Sequence, residues 1–312
     1  MIPRLYFIEA RFYSKEYIRS GGIDAFLGNA LRKTIERYKL VFYGIVAQDE
    51  ATGELHLIGP DEKIVLVKAY EEYCHWHNGP LGERDNPLQR TYCLSQATTE
   101  LGYCSRHKTS IRAIYSKCFS SAGLESLRSC WMLDEKLGES IEYAVYLLAY
   151  GHNKYKVGST RKWRIHDRIA EQPHVAAAIL YESRSAVKTR DVEIRAGRLS
   201  GLTERPRRRL VDVVSTPLAQ AVLGLEKTVE KARRVLGITD MHETRIFRVE
   251  PVNGYESIIR VKETGFNELV GKPLVIRDYY AGFLILEEPN TNTRYALKGT
   301  QILHTNCLKT IR

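Results

Sequence analysis

Alternating and helical patterns of apolar residues divide the chain into predicted elements. Residues 1–73 contain four segments with the alternation or apolar runs typical of strands: 4–13, 41–46, 54–58 and 63–69. Residues 24–40 instead carry apolar side chains at helical spacing, among them Ile35 and Tyr38, and predict one helix. This region is therefore expected to form a β-rich N-terminal domain.

The pattern changes in residues 143–193. An apolar, Tyr-rich run at 143–148 and a second strand-like run at 155–160 precede a basic helical segment containing Arg164 and Arg168. A short apolar run and a second helical segment with Glu193 follow. The order strand, strand, helix, strand, helix predicts a ββαβα core.

The remainder of the chain predicts a long amphipathic helix and then short strands. Apolar residues from Leu218 to Leu236 form one helical stripe that ends near Gly237. After residue 245, short strand-like runs at 246–250, 257–261, 273–277, 282–287 and 294–298 are separated by Gly, Asn and Pro. Such spacing favours a small β-barrel of five or six strands.

Together these patterns predict an α+β multidomain protein. The expected domains are the β-rich N-terminal domain at 1–73, a Cys/His zinc module at 74–142, the ββαβα core at 143–209, an amphipathic helix connector at 210–242, and the C-terminal small β-barrel at 243–312. No apolar run reaches the eighteen or so residues that a membrane span needs, and the chain does not start with a signal-like block. A cytoplasmic protein without a membrane partner or a small-molecule cofactor is expected.

Charge is concentrated in one part of the chain. The net charge is +10, and residues 143–209 hold 15 Lys and Arg against 6 Asp and Glu, a net of +9. A localised positive face attracts polyanions, so DNA or RNA is the expected partner. The alternative is a solvated basic surface without a ligand.

Cysteine spacing indicates a metal site. Five of the six cysteines lie between residues 74 and 130, close to histidines, and without a secretion signal this favours metal over disulfides. The tightest pairing joins two C-x2-H motifs into a structural zinc site of Cys74, His77, Cys104 and His107. A competing set is Cys93, Cys104, His107 and Cys118, with Cys130 as a replacement or as a ligand of a second ion. Simple buried thiols are the remaining alternative.

Residues 143–195 resemble a GIY-YIG nuclease domain. The motifs are Ala144-Val145-Tyr146 at the GIY position and Lys156-Val157-Gly158 at the YIG position. The whole chain is also similar to a little-characterised, mainly archaeal family that couples a cysteine-rich region to a GIY-YIG-like block. Segments 156–161 and 168–172 carry that likeness, and 102–104 and 267–272 echo it more weakly.

The resemblance implies a phosphodiester-cleaving site. Tyr146 would be the first catalytic tyrosine, Lys156 and Arg168 would hold the scissile phosphate, and Glu193 would bind Mg²⁺ or Mn²⁺. The family's helical arginine falls on His166 here, and Arg168 takes its place if the turn holds two more residues. Lysine stands where the family has its second tyrosine, which leaves two alternatives: a lysine that lowers the pKa of Tyr146 or serves as the base, and a site that binds phosphate without cleaving it.

Further contacts to nucleic acid are expected around this site. Arg164 and Arg168 are spaced i and i+4, as two side chains on one helix face that grip one phosphate. The other expected contact residues are Gly158, Arg161, Lys162, Arg207, Arg208 and Arg209. The sequence thus predicts a zinc-stabilised, Mg²⁺-dependent endonuclease. The alternatives are a DNA- or RNA-binding protein that does not cleave and a structural protein that meets an acidic partner.

Overall fold

The computed structural model describes residues 1–19, 32–69, 71–121, 123–151, 153–204, 210–239 and 244–311. Their contacts separate two units. The first unit comprises Met1–Glu9, Val41–Lys136 and Glu256–Arg312, and the second comprises Ala10–Leu40 and Leu137–Tyr255. Each unit joins segments that are distant in the sequence, and the five consecutive domains stay a prediction.

The described residues form a mixed α/β fold with two sheets. The strands are β1 Ile2–Arg19, β2 Arg32–Gln48, β3 Leu55–Ile58, β4 Lys63–Leu66, β5 Tyr143–Gly151, β6 Lys154–Arg161, β7 Ala176–Ser183, β8 Leu202–Thr203, β9 Ile246–Pro251, β10 Lys262–Thr264, β11 Pro273–Tyr280, β12 Phe283–Glu288, β13 Thr293–Lys298 and β14 Leu308–Thr310. The helices are α1 Ile111–Ser120, α2 Gly123–Leu137, α3 Ile165–Ala170, α4 Ala186–Gly197, α5 Leu210–Ser215, α6 Leu218–Leu236 and α7 Glu256–Ile259. Short 3-10 turns occupy Pro87–Gln89, Lys162–Arg164, Phe266–Glu268 and Gly299–Gln301. No helix in these described ranges has the length and apolar content to span a membrane.

The second unit is organised around β5. This strand pairs antiparallel with β6 on one side and with β7 on the other, and β7 in turn pairs antiparallel with β9. The strand order there is β2-β9-β7-β5-β6-β8. Every residue of β5 is buried because the strand is central and both of its faces are covered. The predicted order strand, strand, helix, strand, helix is present as β5-β6-α3-β7-α4.

Helices α4 and α6 cover one face of this sheet. Val192 and Ala196 of α4 and Leu225 and Val229 of α6 share a core with Val145 and other residues of β5. The predicted stripe on α6 is the buried one, and the helix ends at Gly237 in the left-handed conformation, with φ 68°. Burial of this stripe stabilises α6 against the sheet, because each Å² of apolar area removed from water contributes about 25 cal/mol of favourable free energy.

The predicted C-terminal barrel is wrong. Within the described residues, the second sheet is an open path in the order β10-β13-β12-β11-β4-β14. Strand β9, the first strand expected in the barrel, pairs instead with β2 and β7 of the second unit. Strand β4, from the N-terminal region, takes a place beside β11. The end strands β10 and β14 have three residues each and leave the sheet open.

Two predicted elements differ in type. Residues 32–40 of the helix predicted at 24–40 form part of β2, and residues 24–31 lie outside the described residues. The parallel pairing of β2 with β9 buries Ile35, Tyr38 and Leu40, so a partner more than two hundred residues away overrides the local spacing. The strand predicted at 257–261 is likewise wrong, because helix α7 occupies Glu256–Ile259.

Candidate functional site

Three cysteine sulfurs and one imidazole nitrogen of the first unit converge on one point. The ligand atoms of four residues all lie within 4.8 Å of one another: Cys74, Cys93, Cys104 and His107. Nδ1 of His107 is 3.4 Å from Sγ of Cys104 and 3.7 Å from Sγ of Cys74, and the sulfurs of Cys93 and Cys104 are 3.9 Å apart. A tetrahedral zinc with bonds of about 2.3 Å to sulfur and about 2.0–2.1 Å to nitrogen separates its ligands by about 3.5–3.8 Å. The four atoms therefore fit one tetrahedral metal ion.

Strand pairing explains why Cys93 belongs to this cluster and His77 does not. The backbone around Cys74 runs antiparallel to the backbone around Cys93, with His77 bridged directly to Tyr92. Side chains alternate along each strand, so Cys74 and Cys93 point to one face while His77 and Tyr92 point to the other. His77 was predicted as a ligand on the assumption that Cys74 to His77 form a tight turn. The backbone there is extended and paired with the segment around Tyr92, so the side chain of His77 lies on the other face.

His77 has other contacts. Its Nδ1 accepts a hydrogen bond from the backbone N–H of Gly79 at 3.1 Å, and Nε2 lies 3.4 Å from Arg90 Nη1. Its ring packs against Tyr92 with 5.4 Å between centroids. These contacts assign His77 to the packing of the loop.

The second C-x2-H motif forms the expected turn. The backbone N–H groups of His107 and Lys108 both donate to the carbonyl of Cys104 at 3.0 Å. Ser110 then caps α1 by accepting from the N–H of Ala113 at 3.3 Å. The turn and the helix start together hold Cys104 and His107 on the same side.

The competing ligand set is also corrected. Cys118 and Cys130 form a disulfide that joins α1 to α2, with Cα atoms 4.7 Å apart. Neither residue is therefore a ligand of the cluster or of a second ion. The observed cluster combines three residues of the tighter set with Cys93 from the competing one.

The environment of the cluster acts in opposite directions on the thiols of Cys74 and Cys104. The N–H of Cys104 donates to Sγ of Cys74 at 3.3 Å. Burial alone would raise the pKa of Cys104, but N–H groups of His107 and Arg106 and the hydrogen bond with Cys74 outweigh it and lower the pKa. Burial raises the pKa of Cys74 to about 11, so without a metal this thiol is protonated at neutral pH. Metal binding would displace that proton.

The ring of Trp76 fixes the imidazole. Trp76 and His107 stack with 4.2 Å between centroids and 3° between planes. This contact restrains the ring of His107 with Nδ1 toward the sulfurs. A closed set of three sulfurs and one nitrogen from the protein is typical of a structural metal site.

The second unit brings Tyr146 and Lys156 to one face of the sheet. Tyr146 is paired with Gly158 and Leu148 with Lys156, and directly opposed residues share a face. Nζ of Lys156 donates to Oε1 of Gln172 at 2.6 Å, and Nε2 of Gln172 donates to the Tyr146 hydroxyl at 2.7 Å. All three side chains are buried. One amide group, that of Gln172, thus separates Lys156 from Tyr146.

Tyr146 is held in its protonated form. Burial raises the pKa of Tyr146, and the opposing effects of Arg168 and of the hydrogen bond from Gln172 are smaller. At neutral pH the hydroxyl therefore keeps its proton.

Gln172 was missed by sequence reasoning as a site residue, although it ends the segment 168–172 that carries the family likeness. His174, which is fully buried, positions it: Nδ1 donates to the carbonyl of Gln172 at 2.8 Å, and Nε2 accepts from the N–H of Val249 at 3.0 Å. Its two hydrogen bonds define a neutral imidazole.

Gly158 makes room for the tyrosine ring. A Cβ at this position would lie 2.6 Å from the Tyr146 hydroxyl oxygen and 2.7 Å from Cζ.

We expect Gly158→Ala to lower the free energy of unfolding by about 1–3 kcal/mol, because a buried ring must move in a packed site. Denaturant unfolding measures this, with Gly265→Ala as the control because the nearest atom to its Cβ is 3.9 Å away. Equal stability of the two variants would contradict the close approach of Tyr146 to β6.

Arg164, at the end of the 3-10 turn Lys162–Arg164, and Arg168, in α3, both pair with Glu171. Nη1 of Arg168 lies 2.8 Å from Oε2 of Glu171, and Arg164 is hydrogen-bonded to Oε1 of the same carboxylate. Burial alone would raise the pKa of Glu171, but the two arginines outweigh it and lower the pKa. The neighbouring His166 stacks on Tyr38 with 3.9 Å between ring centroids.

Glu193 lies in a separate hydrogen-bonded group. Nη1 of Arg190 is 2.7 Å from its Oε2, and the hydroxyl of Ser159 donates to the same oxygen. Ser159 alternates with Gly158 along β6, so it belongs to the face covered by α4, opposite Tyr146 and Lys156. The negative charge of Glu193 nevertheless contributes to raising the pKa of Tyr146, after the larger effect of burial. Its role as a magnesium ligand stays a prediction.

The other predicted contact residues differ in setting. Arg161 is buried, with its guanidinium 5.0 Å from the Trp163 ring centroid. Lys162 is half-buried and lies 3.0 Å from Glu182 and 3.3 Å from Glu142. The predicted contacts Arg207, Arg208 and Arg209 lie outside the described residues.

Two groups of predicted site residues are therefore assembled, the metal cluster in the first unit and the Tyr146–Gln172–Lys156 chain in the second. The metal cluster has the donor set and the spacing of a closed structural site. The second group joins Tyr146 of β5 and Lys156 of β6, on two strands that pair antiparallel. No family model, curated protein or solved structure matches this chain.

Proposed function

We propose that this chain is a zinc-stabilised protein that binds nucleic acid through the GIY-YIG-like ββαβα segment of its second unit. The observation that carries the proposal is the charge distribution, with a net +9 in residues 143–209 out of +10 for the whole chain. A charge excess confined to one region supports a polyanionic ligand because each phosphate contact releases counterions.

Exposed cations on two neighbouring helices support this interpretation. Helix α4 packs beside α6, and Nη2 of Arg195 reaches the carbonyl of Leu236 at 3.5 Å. Exposed basic residues on and just after these helices are Lys188, Arg195, Arg198, Lys227, Lys231 and Arg234. The exposed Arg168 adds a cation at the Tyr146 side of the sheet. These exposed positive charges support an electrostatic attraction of the second unit for a polyanion.

The zinc assignment rests on the donor set. Three thiolates and an imidazole at tetrahedral spacing suit zinc better than the hard cations Mg²⁺ and Ca²⁺, which take oxygen ligands. One zinc per chain is expected by elemental analysis of the purified protein.

Binding is expected to weaken steeply with salt. We expect the Kd for a fluorescent 20-nucleotide DNA or RNA to rise with salt, and Arg168→Gln to reduce the salt slope by about one, because one phosphate contact is lost. Arg164 still pairs with Glu171 in this variant, so the fold is retained. The control is Lys298→Gln, an exposed lysine of the first unit. Salt-insensitive or absent binding would reject the proposal and favour an acidic protein partner.

An Mg²⁺-dependent endonuclease is the second candidate. It is supported by the buried hydrogen-bonded chain that joins Lys156 through Gln172 to the hydroxyl of Tyr146. Binding without cleavage is placed first because Arg190 and Ser159 already engage the Glu193 carboxylate. Cleavage assays with Mg²⁺ or Mn²⁺ on duplex, branched and single-stranded DNA and RNA distinguish the two. Nicking that disappears in Tyr146→Phe and Glu193→Gln would establish the endonuclease.

A further inference from the structure

A buried arginine lies against the metal cluster. Arg4 of β1 is 2% exposed, and its Nη2 donates to the carbonyl of Cys93 at 3.2 Å while Nη1 reaches the carbonyl of Cys74 at 3.5 Å. Its guanidinium carbon is 4.5 Å from the Tyr92 ring centroid. One side chain from the start of the chain thus touches the backbone of two of the four predicted ligands.

Arg4 has no carboxylate partner among the described residues. Its other hydrogen bonds go to neutral acceptors, Nδ1 of His304 at 2.8 Å and Oε1 of Gln48 at 3.4 Å, and its Nε has none. Because an arginine only donates, Nδ1 of His304 is an unprotonated acceptor. Burial lowers the pKa of Arg4 to about 10, so the guanidinium is charged at neutral pH. A buried charge without a counter-charge is strongly unfavourable.

The loaded cluster would supply that counter-charge. A divalent ion bound by three thiolates and one neutral imidazole carries a net charge of −1. Metal loading therefore places a net negative charge next to the Arg4 guanidinium.

We propose that Arg4 is a positioning residue of the metal centre, which balances the charge of the thiolate-bound ion and holds the carbonyls of Cys74 and Cys93. The positive guanidinium stabilises the metal-bound cluster relative to the metal-free cluster. The metal-bound cluster in turn stabilises the buried position of Arg4 in β1. This role does not depend on nucleic-acid binding. It extends the site beyond its four ligands to a residue 70 positions before the first of them.

Zinc affinity of Arg4 variants tests the proposal. We expect Arg4→Met to weaken zinc binding by about 10–100-fold, the usual effect of losing a partner of a metal ligand, and Arg4→Lys to weaken it less because the charge remains. Competition with a chromophoric chelator measures the affinity, and the absorption of the Co²⁺-substituted protein reports whether the cysteines still coordinate. The matched control is Arg190→Met, which removes an equally buried arginine of the second unit.

A stability comparison separates this role from simple packing. The increase in Tm produced by zinc is measured for wild type, Arg4→Met and Arg4→Lys, each with and without chelator. Charge balance predicts a smaller zinc-dependent increase in Arg4→Met, with little change or a gain in Tm for its metal-free form. A purely structural Arg4 would lower both Tm values equally and leave zinc affinity at the wild-type value, and that result would overturn the proposal. If Arg4→Met does not fold, Arg4→Lys provides the test. A wild-type zinc affinity and a wild-type zinc-dependent increase in Tm would reject the role of the guanidinium in holding the two carbonyls, and a smaller increase in Tm would support it.

Discussion

Replacing Cys104 with serine is expected to abolish stoichiometric zinc binding and to unfold the surrounding segment of the first unit. The buried cluster around the predicted ligands is small among the described residues: it comprises Cys74, Tyr103, Cys104 and Ala113 with partly buried neighbours. A structural zinc contributes about 10–16 kcal/mol of apparent binding free energy in small metal-folded domains. The loss of stability is therefore expected to exceed about 4 kcal/mol. Elemental analysis gives the zinc content, and hydrogen exchange of residues 71–110 gives the unfolding.

Two controls make the test specific. Cys307→Ser removes a buried cysteine that lies outside the cluster and donates to the carbonyl of Ile302, so zinc content is expected to stay at one. His107→Ala is expected to lose zinc, whereas His77→Ala is expected to keep it. Full zinc occupancy in Cys104→Ser, or loss of zinc in a folded His77→Ala protein, would show that the ligand set is wrong.

Replacing Glu193 with alanine is expected to destabilise the second unit by about 3–5 kcal/mol. The side chains of Arg190 and Glu193 are 5% and 8% exposed, and their charged atoms are 2.7 Å apart. Removal of the carboxylate breaks the close ion pair of a buried guanidinium, which also lies 3.8 Å from Glu204. Hydrogen exchange of the β5, β6 and β7 amides reports this unit separately from the first.

A double-mutant cycle checks the cause. The combined variant Arg190→Met with Glu193→Ala is expected to lose less stability than the two single variants summed, because no buried charge is left unpaired. Glu204→Ala, with a more exposed side chain, is expected to cost less than about 1 kcal/mol. A cost below about 1 kcal/mol for Glu193→Ala itself would contradict the buried pair. The result also bears on catalysis, since lost cleavage in Glu193→Ala is interpretable only beside a folded Glu193→Gln protein.

The ββαβα order was predictable because its signals are local. The apolar run before Gly151, the turn at Asn153 and the helical spacing in α4 lie within a few residues of the elements that they specify. By contrast, Ile35 and Tyr38 fit helical spacing equally well, and pairing with β9 made that segment a strand. Likewise, β4 beside β11 and the loss of β9 to the other sheet depend on contacts across the chain. No spacing rule encodes such contacts.

The candidate sites divide in the same way. Sequence spacing identified Cys104 and His107, since a C-x2-H turn is made by four consecutive residues. Cys93 replaced His77 because strand alternation, fixed by a bridge between Tyr92 and His77, decides which side chains share a face. Arg4 carries no sequence signal at all, because its contacts with Cys74 and Cys93 arise only when β1 is in place.

The sequence by itself determined the type and order of the locally coded elements, the positive excess in residues 143–209, and the stretch of chain that holds the Cys/His cluster. The tertiary structure alone decided which cysteines and which histidine form that cluster, the disulfide between Cys118 and Cys130, the Tyr146–Gln172–Lys156 chain and the pairing of Glu193 with Arg190. The physical reason is that periodicity and charge are properties of neighbouring residues. A metal centre or a buried ion pair depends instead on which strand faces meet, and that is set by pairing between distant segments.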